Sequence, residues 1–315
     1  MTRCAIAIHG GCGVMARSEL GEAVWAAAQI DLAAALRGGW AVLTRGGTAI
    51  DAVEAAVRVM EDSEHFNAGH GAALNAAGEH ELDASIMDGA TLEAGAVSAV
   101  RRIRNPVSAA RAVMASGDLV MLTGPAGDAY AAAYGLEMVD PSYFTTPQRL
   151  ASLRAMKAHE SAGTARQASE AEKHGTVGAV ALDQAGHLAA ATSTGGYTNK
   201  PEGRVGDSPI IGAGTYARDG VCAISGTGKG EFFIRHVLGH EIASRMAYLG
   251  ETLAKATDQL IMHDLKPHVG AGLVAIDAAG TIVAPFNTQG MFRGWITTEG
   301  DLFVGTHTEI VRVPV

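Results

Sequence analysis

Between Lys173 and Gly196 the chain reads KHGTVGAVALDQAGHLAAATSTGG, and at Gly175-Thr176 a polar stretch gives way to an apolar, strand-like run. A threonine hydroxyl is a weak nucleophile until a base takes its proton. A threonine at a chain terminus carries its own base, because a free α-amino group titrates near neutrality, at about 7.7–8. That chemistry requires the bond before Thr176 to be cut. Glycine suits the preceding place: without a Cβ, Gly175 tolerates the strained turn from which Thr176 Oγ1 could attack its carbonyl. The alternative is that Gly175-Thr176 merely opens a strand. The local pattern leaves both readings open.

Elements must be arranged to hold such a threonine. CAIAIH (residues 4–9) reads as a buried strand that ends in a glycine turn, Gly10-Gly11. Residues 18–43 are alanine-rich and helical in character, with a break expected at Gly38-Gly39. Thr48 followed by Asp51 resembles a capping box, and Ile50, Val53, Val57 and Met60 then repeat at helical spacing. That helix stops near Ser63, before the glycine-rich FNAGHGAAL. Strands are expected at 80–89 and 94–102, then a helix over 105–117, a strand at LVMLTG and a helix at GDAYAAAYG. Residues 158–175 hold almost no large apolar side chain and read as a solvated connector. Beyond it, TVGAVALD and HLAAATST form a hairpin pattern, repeated as GAGLVAID and TIVAPFN. Helical stretches at 229–249 and 251–264 could cover one face of these strands. The sum is a layered α/β protein with mixed or antiparallel sheets.

Bulk composition narrows the partners. The chain has 315 residues, 48% of them hydrophobic and 18% charged, ample for a large core. Its net charge of −9 comes with no Lys/Arg stripe, which argues against nucleic acid. Cys4, Cys12 and Cys222 are odd in number and widely spread, a pattern that suits a reducing compartment. No apolar run approaches membrane-spanning length and the N-terminus lacks a signal-peptide core, so no membrane partner and a cytoplasmic location are expected.

Several separated motifs share one resemblance. HGTVGAVALD, AAATSTGGYTNKPEGRVGDSPIIGAGTYA and SGTGKGEFFIR, with AIAIHGG, FNAGHGAAL, HELDASIMDG and PFNTQGMFRGW, closely resemble the plant-type (type III) L-asparaginase and isoaspartyl peptidase family. The likeness covers nearly the whole chain, the connector excepted. It implies an N-terminal-nucleophile hydrolase with a four-layer αββα sandwich, a single domain that cuts itself into an α subunit, 1–175, and a β subunit, 176–315.

By the same resemblance, Thr176 is the nucleophile and Thr194 tunes it by a hydroxyl hydrogen bond. Arg204 and Asp207 grip the α-carboxylate and α-ammonium of the substrate, and Thr227 and Gly228 form the oxyanion hole. Asn67 lies beside the pocket. L-Asparagine and β-aspartyl dipeptides are then the substrates, with no organic cofactor, and the working assembly is a homodimer of αβ units. The segment Met60–His70 matches a loop that holds a sodium ion by main-chain carbonyls, with Met60, Glu61, Ser63, Phe66, Ala68 and His70 as the implied ligands. One position departs from the pattern: relatives usually read HGGAG where this chain reads HGGCG, which puts Cys12 near the pocket's edge. Other readings are a glycosylasparaginase-like amidase and a binder of the same fold that is never processed.

Two further signals carry less. GTGKGE lacks the spacing of a phosphate-binding loop, since Ala223 stands where the first glycine belongs and Gly230 follows Lys229. His236 and His240 stand four apart on an expected helix, but no third metal ligand accompanies them.

Overall fold

The two stretches ahead of the glycine-rich loop pack as an antiparallel helix pair, α1 (Glu22–Thr44) and α2 (Ala49–Glu61). The computed structural model describes residues 4–13, 21–164 and 175–315. Thr48 caps α2 by accepting a hydrogen bond from the Asp51 N–H at 3.3 Å, an interaction worth about 1 kcal/mol. α1 does not break at Gly38-Gly39 but runs straight through. The glycines serve packing: a Cβ on Gly39 would lie 2.3 Å from Ile6 Cδ1 and 2.8 Å from the Ala52 carbonyl. Close approach of helix to helix and sheet is the reason for glycine here, and the neighbours' packing offsets its poor helix propensity.

The architecture is mixed α/β. A nine-stranded sheet has the order β13-β12-β11-β1-β5-β6-β2-β3-β4, and a second sheet the order β10-β9-β8-β7. The first is formed by β1 (Ala5–Cys12), β2 (Leu82–Asp88), β3 (Ala94–Val100), β4 (Met121–Thr123), β5 (Val177–Leu182), β6 (Leu188–Thr194), β11 (Met291–Ile296), β12 (Leu302–Gly305) and β13 (Ile310–Val313). The second holds β7 (Thr215–Arg218), β8 (Cys222–Gly228), β9 (Ala271–Asp277) and β10 (Ile282–Val283). Every pairing is antiparallel except β3 with β4. Both expected hairpins form, β5 with β6 and β9 with β10.

Burial explains why alternation was faint in these strands. Ile6 and Ile8 of β1 join a cluster with α1 and α2, while Ala5 and Ala7 face a second cluster with Ala223, Ile224 and Val274. Alternate side chains thus enter two different cores, so no face reads as polar. α3 (Pro106–Ala115) packs on β2 and β3, and α4 (Gly124–Ala133) on β3. On the small sheet lie α6 (Gly230–His236), α7 (Leu238–Leu249) and α8 (Leu253–Asp258), the last continuing as a π-helix over Gln259–Leu265.

Three expectations need correction. The stretch 229–249 is two helices, broken at Val237 in the left-handed region (φ 46°), so His236 and His240 do not share one helical face. His240 instead sits edge-on to Tyr216. The connector expected from 158 begins later, because α5 (Pro147–Ser161) extends into it, started by Pro147 and capped by Thr146. Residues 165–174 of that connector lie outside the described residues. The strands β7, β8 and β11 to β13 are additions to the expected set. No helix among the described residues is long and apolar enough to cross a membrane.

Candidate active site

β1 and β5 lie side by side; β1 does not end in a turn at Gly10-Gly11 as expected but continues to Cys12, and a bulge at these glycines brings its backbone against the residues that precede β5. The ladder shifts between His9 and Gly11, which has φ 108°. A Cβ on Gly11 would stand 3.0 Å from Gly175 Cα and 3.1 Å from Thr176 N. Glycine is needed twice over, for the positive φ and for the close approach to that peptide.

Around the Gly175 carbonyl oxygen three donors converge: Asn67 Nδ2 at 2.9 Å, Thr194 Oγ1 at 3.0 Å and Thr176 Oγ1 at 2.7 Å. Thr176 Oγ1 also lies 3.1 Å from Thr194 Oγ1, which accepts from the Gly196 N–H. Asn67 is itself fixed: its Nδ2 also donates to the Gly196 carbonyl and its Oδ1 accepts from the Ala73 N–H. Both threonines are buried, as is Asn67. Chemically this is a carbonyl held and polarised by fixed donors, with a hydroxyl against it.

A small pocket opens from this point, lined by Thr176, Thr194, Tyr197, Arg204, Asp207 and Gly228 among others. Arg204 and Asp207 do not pair with each other. Arg204 Nε meets Glu231 Oε1 at 3.0 Å, and its guanidinium lies 4.7 Å over the Tyr197 ring. Asp207 is fully buried, and its Oδ2 has no hydrogen-bond partner. Burial pushes its carboxyl up to about 7, against the opposing pull of Arg204. A lone buried carboxylate oxygen beside an arginine fork is a site short of one cationic donor.

Thr227 lies just behind the pocket. Its Oγ1 accepts from the Cys12 N–H at 3.2 Å, and Cys12 Sγ donates to its carbonyl at 3.3 Å. Cys12 is thus a buried thiol against the oxyanion candidate. All three cysteines are buried, and no disulfide joins them among the described residues.

In the Met60–His70 loop, the Glu61 carbonyl accepts from the His70 N–H at 2.7 Å and the Met60 carbonyl from the Ser63 N–H at 3.3 Å. The carbonyls of Glu61, Glu64 and Phe66 converge on the loop's glycines. A Cβ on Gly69 would lie 2.3 Å from Glu61 O, and one on Gly71 within 2.9 Å of Glu64 O and Phe66 O. Among the described residues no cluster of three His, Cys, Asp or Glu side chains could hold a metal, so any ion here is a main-chain matter. The loop is pinned from outside by the Arg149 guanidinium, which donates to the Gly71 carbonyl.

Several residues at the site were not expected. Lys200 is fully buried and donates to the Glu81 carbonyl at 2.8 Å, with Asp83 as an opposing charge nearby. Glu61 was expected only as a main-chain ion ligand; its buried side chain accepts from Ser193 Oγ at 2.6 Å, and burial raises its carboxyl to about 8. Glu231 was present in the SGTGKGE motif but had no assigned partner. His9, within β1 and just before its bulge, reaches Thr176 O and Ser225 Oγ. A charged residue inside a glycine-rich motif was the available signal for Glu231. For His9 the signal was its place in AIAIHGG, the one ionisable side chain in an otherwise apolar run.

The family model described as Asparaginase matches residues 2–305 of the chain. Among curated relatives, the isoaspartyl peptidase of Escherichia coli (strain K12) is 46% identical over 301 residues, covering 94% of this chain and 93% of its own. A probable isoaspartyl peptidase/L-asparaginase of Arabidopsis thaliana is 39% identical, covering 94% and 96%. The isoaspartyl peptidase/L-asparaginase of Mus musculus is 41% identical, covering 91% and 86%.

Proposed function

Because the chain belongs to the asparaginase family matched over residues 2–305, we propose that it hydrolyses the side-chain amide of L-asparagine and the isopeptide bond of β-aspartyl dipeptides, with Thr176 as nucleophile. The observation that carries this is the Gly175 carbonyl held by Asn67 and Thr194 with the Thr176 hydroxyl at 2.7 Å. Attack of Oγ1 on the Gly175 carbonyl carbon closes a five-membered ring. Expulsion of the Thr176 nitrogen, which takes up a proton, leaves an ester that water cleaves. The products are an α subunit ending at Gly175 and a β subunit beginning with a free Thr176 amine.

That amine then serves as the base. It takes the hydroxyl proton as Oγ1 attacks the substrate's side-chain carbonyl, and it returns the proton to the departing ammonia or amino acid. Thr227 Oγ1 and the Gly228 N–H stabilise the oxyanion. The Cys12 N–H occupies a lone pair of Thr227 Oγ1, and the hydroxyl proton, aimed in the empty site at Cys12 Sγ 3.8 Å away, is the one that would turn to the oxyanion. Water finally releases aspartate from the β-aspartyl ester. Arg204 takes the α-carboxylate and Asp207 the α-ammonium, so the β-carbonyl faces Thr176 and ordinary α-peptides present the wrong group.

Helices stacked on the outer faces of two packed sheets support the αββα sandwich of the N-terminal-nucleophile hydrolases. A sodium ion held by main-chain carbonyls of the Met60–His70 loop belongs to the same reading and would rigidify the wall carrying Asn67. Buried thiols without disulfides fit a cytoplasmic setting, and pairing of two cleaved units into a homodimer belongs to the same reading.

Denaturing mass spectrometry of the purified protein should give two fragments meeting at Gly175/Thr176, and the same sample should release ammonia from L-asparagine. An intact chain with full activity overturns the mechanism. Substrate binding should also depend on pH in one direction. In the empty site the Asp207 carboxyl is protonated below about 7, so the arriving ammonium must displace that proton. KM therefore falls as pH rises toward 7, by up to about tenfold per unit, and levels off above. A KM that is flat from pH 5 to 8 would remove Asp207 from this role.

A further inference from the structure

We propose that His9 is a positioning residue for the nucleophile: its neutral imidazole ties the Thr176 main chain to a one-way chain of buried hydroxyls, Ser225, Thr192 and Thr215. This rests on the reading of Thr176 as the attacking residue.

The chain can be followed atom by atom. His9 Nδ1 lies 3.0 Å from the Thr176 carbonyl oxygen, and its Nε2 lies 2.9 Å from Ser225 Oγ. Ser225 Oγ is 2.7 Å from Thr192 Oγ1, which is 2.6 Å from Thr215 Oγ1. Ser85 Oγ follows at 2.7 Å and also reaches the Ser208 carbonyl, next to Asp207, at 2.6 Å. His9, Ser225, Thr192, Thr215 and Ser85 are all fully buried. They come from five strands of both sheets, so the chain crosses a boundary that is otherwise apolar.

The proton order follows from valence. Burial holds His9 neutral, with its imidazole pushed down to about 3, so the ring carries one N–H. A carbonyl oxygen only accepts, which puts that hydrogen on Nδ1. Nε2 is then an acceptor, and the Ser225 hydroxyl must donate to it. With its only proton committed, Ser225 accepts from Thr192, and Thr192 in turn from Thr215. One bond to the Thr176 carbonyl thereby fixes the orientation of three hydroxyls, and they in turn hold the ring.

The neighbouring strand is shaped around this contact. His9 stands opposite Gly178 in the β1–β5 ladder. A Cβ on Gly178 would lie 1.9 Å from Ser225 Oγ and 2.5 Å from His9 Nε2. Glycine at 178 leaves the gap that the bond occupies. The purpose is clear once Thr176 becomes a terminus. No preceding residue then restrains it, and its own carbonyl is the first main-chain group that can be anchored.

The test compares hydroxyl with shape at a residue remote from substrate. Fully cleaved Thr192→Val, which keeps the shape and loses the hydroxyl, should lower kcat for a β-aspartyl dipeptide about tenfold. KM should stay within about twofold, and Thr192→Ser should restore kcat to within about twofold of the wild type. His9→Ala should slow both kcat and self-cleavage, and His9→Asn, which keeps an N–H near the Nδ1 position, should recover part of each. An unchanged kcat in Thr192→Val, or KM rising as kcat falls in both Thr192 variants, overturns the role. If His9→Ala does not fold, the Thr192 pair decides alone. A wild type that turns over neither substrate overturns the functional reading itself, whereas an active wild type with an unaffected Thr192→Val overturns only the role of His9.

Discussion

Thr176→Ala protein is expected to purify as one uncut chain and to release no ammonia from L-asparagine, a loss of at least about 10⁴-fold. The same oxygen is asked to do two things. In the continuous chain it stands 2.7 Å from the Gly175 carbonyl oxygen and 3.1 Å from Thr194 Oγ1. In the proposed mechanism it attacks substrate after the cut, with the base supplied by its own residue's nitrogen. Alanine removes the oxygen and so also prevents exposure of the amine. The fold should survive, because Val177 and the rest of β5 keep their pairings with β1 and β6. Intact mass together with circular dichroism checks the expectation. A cleaved Thr176→Ala chain, or an uncut one with appreciable turnover, would place the nucleophile elsewhere.

Arg204→Ala should leave self-cleavage intact and yet cost roughly thirty- to several-thousand-fold in kcat/KM, the equivalent of about 2–5 kcal/mol for one partner of a buried charge pair. The magnitude comes from a double loss. On the proposed reading Arg204 is the fork for the substrate carboxylate, and it also opposes the burial that raises the Asp207 carboxyl. Removing it leaves Glu231 without its cation and raises the Asp207 carboxyl further, so both halves of the grip weaken. Arg204→Lys should rescue little, since an ammonium offers no planar pair of donors. Because Arg204 is engaged by Glu231 and Tyr197 and is not among the three donors around the Gly175 carbonyl, the fragments should still form. Two complete fragments with near-normal kcat/KM would remove Arg204 from the substrate's path.

How much of this was written in the sequence differs from part to part. The hairpins around TVGAVALD and GAGLVAID were readable, because turn residues separate short β-branched and alanine runs. α2 was readable from its cap and stripe. The glycine pair in α1 misled because Gly39 answers to Ile6 and Ala52, residues distant in the chain. The break at Val237 was hidden, since nothing in the residue type favours a left-handed φ. At the site, Thr176, Thr194, Arg204, Asp207 and Gly228 do gather on one pocket, with Thr227 behind it and Asn67 at the Gly175 carbonyl. Their roles came from family likeness, not from spacing. Glu231 as the partner of Arg204, and the buried Lys200, were illegible because each depends on a contact between separate segments of the chain, Arg204 with the start of α6 and Lys200 with the Glu81 carbonyl.

The order of strands in the large sheet has a consequence for a chain cut after Gly175, as proposed. β1 is inserted between β11 and β5, and β2 lies against β6, so pieces from either side of residue 175 alternate across the sheet. Scission therefore cannot free one fragment from the other. Three backbone seams would have to be unzipped together, along with the cores on both faces. The two polypeptides are interlaced like the teeth of a closed fastener, and they should travel as one body through any native separation, parting only when the whole fold is undone.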